Sequence, residues 1–225
     1  ANTSIRTLVV IGVDPDAFEE MDQGKSRGPS DVLSILKVPH YKTTATALAW
    51  IECFEATGRP RQPSRHRLEI SKVKEMYARH PDLGASVELC LGAPVFAQRY
   101  FRGKAFIAAC HYLFAQVDKT LADDFFNHLF NQSIPATGQW TALRHLATKL
   151  ADDTTGGSQR FTDIYHGAYV IKAWNYVLER ARMTKLQWQP KEGYPKILGY
   201  LYDDDGKPIG LDPSRVVAKP AEPVV

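Results

Sequence analysis

The sequence predicts a mainly α-helical protein: a multi-helix bundle with the end of an α/β unit at its N-terminus and a small β-hairpin near its C-terminus. Three observations carry this. Apolar residues recur at helical spacing through most of positions 41–182. Positions 105–115 are apolar nearly all round, as suits the central helix of a bundle. From position 186 the pattern becomes extended and surrounds the turn pair Asp205-Gly206. The chain has 225 residues, 44% of them hydrophobic and 11% aromatic, enough for a sizeable core. The expected organisation is 1–37 for the α/β remnant, 38–184 for the helical domain, 185–211 for the hairpin segment and 212–225 for a loose tail.

The elements follow in order. Thr7-Leu8-Val9-Val10-Ile11 lies in a strand expected over 6–13, apolar on both faces, which needs sheet neighbours from upstream sequence or from a partner. Asp14 caps, and Pro15 opens, a short helix over 15–21. Gly24 and Gly28-Pro29 interrupt the chain. Ser30 is expected to cap a helix over 31–36. A longer helix spans 41–56, with Ala47, Trp50, Ile51 and Phe54 on one face, and Thr57-Gly58 ends it. With two prolines, 59–67 is a loop. Positions 73–79 close a helix that His80-Pro81 stops. Further helices are expected over 94–116, 121–130, 140–150 and 161–182. The third and fourth of these are separated by a polar loop over 152–158. Positions 186–188 and 197–202 read as extended, with a two-residue hairpin turn at Asp205-Gly206.

The net charge of +3 is mild, so any nucleic-acid surface must be local. No run approaches the ~18 apolar residues of a membrane span, and no membrane partner is expected. The three cysteines, Cys53, Cys90 and Cys110, are odd in number and sit among apolar residues, which suits reduced, buried thiols in a cytoplasmic protein. The sequence has no phosphate-binding Gly-x-x-x-x-Gly-Lys loop, no His-Glu-x-x-His, no Gly-x-Ser-x-Gly and no Cys-x-x-Cys. Among seven histidines, His111 falls in the buried helix and is expected to be a satisfied core residue. His128, His145 and His166 lie on different helices, and their spacing does not define a metal site. Asp203-Asp204-Asp205-Gly206 lacks the alternation of a calcium loop and reads as a solvated turn. No metal or cofactor is evident.

Three segments can carry binding. The turn Asp22, Gly24, Lys25, Arg27 and Asp31 combines a conformationally free glycine with cationic donors, and can hold a phosphate or other anion. The alternative is that Arg27 pairs with Asp22 or Asp31 and fixes a link between elements. The segment 59–67 places Arg59, Arg61, Arg65, His66 and Arg67 in nine residues without an acid. Extended to Arg79, it holds seven cations against Glu69 and Glu75. Guanidinium groups bind phosphate bidentately, so this segment is expected to touch a nucleic-acid backbone, or else to be solvated or paired with an acidic partner. Finally, positions 30–51 have the layout of a helix-turn-helix, with Lys42, Thr43 and Thr44 at the start of the second helix as base-reading candidates.

The opening segment resembles the end of a ParB-like (ParB/sulfiredoxin-fold) domain. The resemblance rests on the strand over 7–13, the turn Asp22-Gln23-Gly24-Lys25-Ser26-Arg27 and Ser30-Asp31-Val32-Leu33. More loosely, it extends to positions 106–114 and to Ile171-Lys172-Ala173-Trp174-Asn175. Asp22, Gly24, Arg27 and Asp31 match recurring positions. In such proteins the Gly-x-His-Arg type motif precedes the strand, and this chain contains no such motif. The resemblance therefore implies DNA binding, with CTP binding or DNA cleavage confined to an upstream region. The expectation is a DNA-binding protein of a phage or bacterial DNA transaction, located in the bacterial or phage-infected cytoplasm. The alternatives are a module that binds a protein partner or self-associates, and a nucleotide- or DNA-processing enzyme whose active site lies upstream.

Overall fold

The structure, a computed structural model, describes residues 28–59, 68–94, 103–154 and 163–217. The expected strand over 6–13 and helix over 15–21 lie outside these residues. Among the described residues there are eight α-helices and one two-stranded antiparallel sheet. The helices are α1 (Pro29–Ile35), α2 (Tyr41–Thr57), α3 (Ile70–Arg79), α4 (Leu83–Leu91), α5 (Lys104–Ala115), α6 (Lys119–Asn131), α7 (Thr141–Thr154) and α8 (Asp163–Leu178). The strands are β1 (Tyr200–Tyr202) and β2 (Pro208–Leu211). None of these helices is long and apolar enough to cross a membrane.

The helical periodicities place the core where expected. Every residue from Phe106 to Phe114 on α5 is buried. So are Ala122, Phe125, Phe126, Leu129 and Phe130 on α6, and Ala168, Ile171 and Trp174 on α8. The rings of Phe114 and Trp174 stack at 4.5 Å with planes 7° apart, and Phe125 meets Trp174 edge-on at 5.9 Å. One contiguous apolar cluster runs from Val32 on α1 to Ile197 ahead of the hairpin, so no break in the core falls at 37/38 or at 184/185.

Several boundaries differ from expectation, each for a local reason. α1 is capped by Gly28 rather than Ser30. Pro29 takes the first helical position, and the Asp31 carboxylate accepts the Gly28 N–H at 2.8 Å. α5 begins at Lys104, because Gly103 at φ 99 is outside the helical region and cuts the helix expected over 94–116. α8 ends at Leu178 rather than 182. The Ala181 N–H donates to Tyr176 O and the Arg180 N–H to Val177 O, with Arg180 left-handed at φ 54. α4 is an element beyond the expected set, with Leu83, Val87 and Cys90 as its buried stripe. The hairpin is present with a three-residue loop instead of two. Gly206 N–H donates to Asp203 O, Gly206 is left-handed at φ 79, and Asp203 N–H donates to Lys207 O. Positions 186–188 are irregular and form no strand.

The hairpin is tied to the bundle by polar contacts. Tyr200 Oη donates to Leu113 O at 3.0 Å. Asn175 on α8 donates to Lys196 O at 2.8 Å and accepts from Leu198 N–H at 3.0 Å. Gly58, at the end of α2, lies so close to the hairpin turn that a Cβ there would sit 2.1 Å from Gly206 O.

Candidate functional site

Of the basic segment, Arg59 is described, as is Leu68 that follows it. Gly58 ends α2 in the left-handed conformation at φ 68, its N–H donating to Phe54 O at 2.6 Å. Thr57 Oγ1 then accepts the Arg59 N–H at 3.3 Å and donates to Arg59 O at 3.1 Å, which fixes the backbone there while Arg59 remains exposed. Arg61, Arg65, His66 and Arg67 lie outside the described residues. Leu68 is buried at 3% exposure, and α3 follows. On α3 the local surplus of cations is reduced. Lys72 pairs with Glu69 at 3.7 Å, and Arg79 pairs with Glu55 at 3.1 Å and Glu75 at 3.7 Å. In the sequence, the arginines of 59–67 have no acid among them, whereas these two cations of the helix that follows lie beside glutamates.

The helix-turn-helix candidates divide. Lys42 is exposed, with its Nζ 5.9 Å from the Tyr41 ring centroid, and Thr43 is half-buried. Thr44 is a correction: it is 1% exposed, and its hydroxyl lies 3.3 Å from both Pro39 O and His40 O, so it cannot reach a base edge. The reason lies in α2 as a whole. Ala45, Ala47, Leu48, Ala49, Trp50 and Ile51 are also buried, so α2 is a core helix with only scattered outward positions rather than one that projects into a groove. Of the expected anion turn, Asp22, Gly24, Lys25 and Arg27 lie outside the described residues. Asp31 is the third residue of α1, where its carboxylate satisfies a helix-end amide.

Sequence reasoning missed a cleft of about 770 Å³ between α2, α3 and β2. Its floor carries a polar chain. Arg79 holds Glu55, Glu55 Oε1 lies 3.2 Å from His80 Nε2, and His80 Nδ1 is 2.9 Å from Tyr112 Oη. Burial pushes the Glu55 carboxyl up, but His80 and Arg79 together outweigh it and hold the pKa below the ordinary value. Burial, with Asp82 and Glu55 nearby, pushes Tyr112 up to about 12, so the phenol keeps its proton at neutral pH. The neutral phenol thus orients the imidazole through Nδ1, with the ionised Glu55 beside its other nitrogen. Such a chain joins α2, the α3–α4 link and α5. His80 and Tyr112 are 32 positions apart, which is why spacing gave no signal.

A second polar chain has the chemical order of a hydrolase triad. His111 Nδ1 lies 2.8 Å from Ser86 Oγ, and His111 Nε2 lies 2.9 Å from Asp123 Oδ1, which Lys119 braces through Oδ2 at 2.7 Å. Burial lowers the His111 pKa despite Asp123, so the ring is neutral at pH 7. The imidazole is turned round relative to a serine hydrolase, with the carboxylate on Nε2 and the hydroxyl on Nδ1. Ser86 is 3% exposed within α4, out of reach of a substrate carbonyl. This chain bridges α4, α5 and α6, in keeping with His111 as a satisfied core residue. His166 pairs with Asp153 at 3.0 Å, and His128 Nδ1 lies 2.8 Å from Ser133 O, so the scattered histidines serve separate contacts. No group of three metal-ligating side chains occurs among the described residues.

No family model matches the chain, and neither a curated protein nor a solved structure matches it.

Proposed function

We propose that the protein binds duplex DNA along its phosphate backbone and acts in a phage or bacterial DNA transaction in the cytoplasm. Arg59, Arg61, Arg65 and Arg67 supply the phosphate contacts, assisted by His66, with Lys42 as an outlying contact. The observation that carries this reading is the concentration of four arginines without an acid between two fixed points, exposed Arg59 and buried Leu68. Of the cations next along the chain, Arg79 is held closely by Glu55 at 3.1 Å, whereas Lys72 meets Glu69 only at 3.7 Å across an exposed, screened pair. Arginine forks match phosphate geometry, and backbone contacts of this kind bind without reading sequence. The likeness of the N-terminal turn to ParB-like domains points the same way.

The test is duplex binding across a salt series. Each phosphate neutralised contributes about 0.9 to the slope of log affinity against log salt. Replacing the four arginines with alanine should flatten that slope by several times this amount and weaken binding at low salt. An unchanged affinity and slope in the quadruple variant would sink the assignment.

A further inference from the structure

A smaller recess of about 390 Å³ lies between the start of α6, the end of α8, the turn at Gln139 and the segment 212–217. Its polar lining is Arg180, Arg215, Gln139 and Asp118. Both arginines are held by their backbones. Arg180 occupies the left-handed position that ends α8, with its N–H on Val177 O at 3.1 Å. The Arg215 N–H donates to Asp212 O at 3.0 Å, and the irregular segment beyond it is pinned by Val217 N–H on Val117 O at 2.9 Å.

We propose that this recess is a phosphate-binding site, with Arg180 and Arg215 as its two guanidinium donors and the Gln139 side-chain amide as a third. Two arginines from separate segments, lining one small recess, offer guanidinium forks that suit the several oxygens of a phosphate group. Two acids lie nearby, and one of them meets a donor. Asp118 is committed to α6, its Oδ1 accepting the Leu121 N–H at 2.9 Å, where the helix N-terminus stabilises its charge. Glu179 meets Arg215 only at 3.7 Å, with both side chains close to half exposed, a pair that solvent screening leaves weak. Arg182 and Lys185, both exposed, follow Arg180 in the sequence. Cations commonly gather at a helix C-terminus for the sake of its dipole, which would account for Arg180 and Arg182. It does not account for Arg215, which comes from a different segment.

The proposal stands independently of the arginine segment 59–67. Its probe is inorganic phosphate, titrated into the full chain at constant ionic strength with chloride as the comparator, while the arginine Nε–Hε resonances are followed by NMR. The variants are Arg180→Gln and Arg215→Gln. Gln132 already takes the same left-handed position after α6, so glutamine is tolerated there by this backbone type. An unchanged thermal midpoint confirms that each variant folds. The expected result is a saturable shift of both resonances with phosphate and none with chloride, and affinity weakened about tenfold or more in each variant. A non-saturating response, an equal response to chloride, or full affinity in both variants overturns the site. A duplex-DNA arm then identifies the source of the phosphate. A salt slope reduced by about 0.9 per arginine assigns a nucleic-acid backbone, and an unchanged slope assigns a free phosphate or phosphomonoester. If duplex DNA does not bind at all, the DNA-binding proposal falls, while the phosphate arm still decides this one.

Discussion

His111 Nε2 lies 2.9 Å from Asp123 Oδ1, and this contact joins the most buried helix of the bundle to its neighbour α6. Because the ring also meets Ser86, a single imidazole connects three helices. Its protonation state therefore matters to the fold.

Burial lowers the His111 pKa below the ordinary imidazole value of about 6.5. Between the folded value and about 6.5, the unfolded chain binds a proton that the native state does not. Stability contributed by this group is therefore complete above pH 6.5 and declines as pH falls below it. NMR titration of the His111 ring should give a midpoint below 6.5. A midpoint at or above that value contradicts the account, whatever the pH dependence of the whole protein.

Glycine is required at position 58 and dispensable at position 84. A Cβ at Gly58 would meet Gly206 O at 2.1 Å, in a backbone conformation at φ 68 that side chains resist. Gly58→Ala should cost at least ~2 kcal/mol, as strain plus a backbone clash. At Gly84, inside α4, nothing lies within 4 Å of the added Cβ, so Gly84→Ala should stabilise by ~0.5–1 kcal/mol. Urea denaturation midpoints at constant m-value compare the two directly. Equal effects would contradict the close approach of α2 to the hairpin.

Phe114 and Trp174 stack at the centre of the core, and both are 0% exposed. Phe114→Ala should destabilise by ~3–5 kcal/mol, because the rings of Phe125, Phe126 and Trp174 cannot all close over the space left. Phe114→Leu should cost less, since more of the volume is kept. Tryptophan emission should shift to the red in the alanine variant if water enters beside Trp174.

Cys53, Cys90 and Cys110 are all buried and free. Burial pushes the Cys90 thiol up to about 12 and the Cys110 thiol higher still. Neither is a thiolate at pH 8, so neither should react with a thiol reagent while the protein is folded. Their modification rate, read by mass spectrometry, should rise with denaturant in step with unfolding. Rapid labelling of Cys90 or Cys110 in the native state would contradict their placement in the core.

Lys42 and Thr44 separate surface from core on α2. Lys42→Ala should leave stability nearly unchanged and, under the DNA-binding proposal, reduce the salt slope by up to about 0.9. Thr44→Val keeps the volume of a 1% exposed side chain while removing its hydroxyl, and should leave DNA affinity unchanged. A loss of affinity in the valine variant would restore Thr44 to the contact surface.

Much of this fold was legible in the chain. The spacing of Ala47, Trp50, Ile51 and Phe54, the apolar run of α5 and the Phe-rich face of α6 each specify which surface must leave water, because helical geometry converts spacing into a face. The hairpin was legible because Gly206 supplies the left-handed residue its turn requires. Local competition settled the element ends that differed. Gly103 and Arg180 leave the helical region where the apolar pattern alone would continue.

By itself, the sequence determined the helical class, the faces that form the core and the concentration of arginines at 59–67. Tertiary structure decided that α2 is a core helix and that Thr44 is enclosed. It also brought Glu55 to His80 and His80 to Tyr112, and turned a scattered Ser86, His111 and Asp123 into one buried chain. The reason is physical. Periodicity records whether a side chain leaves water, a property of one helix. Which polar group meets it there depends on how helices distant in sequence cross.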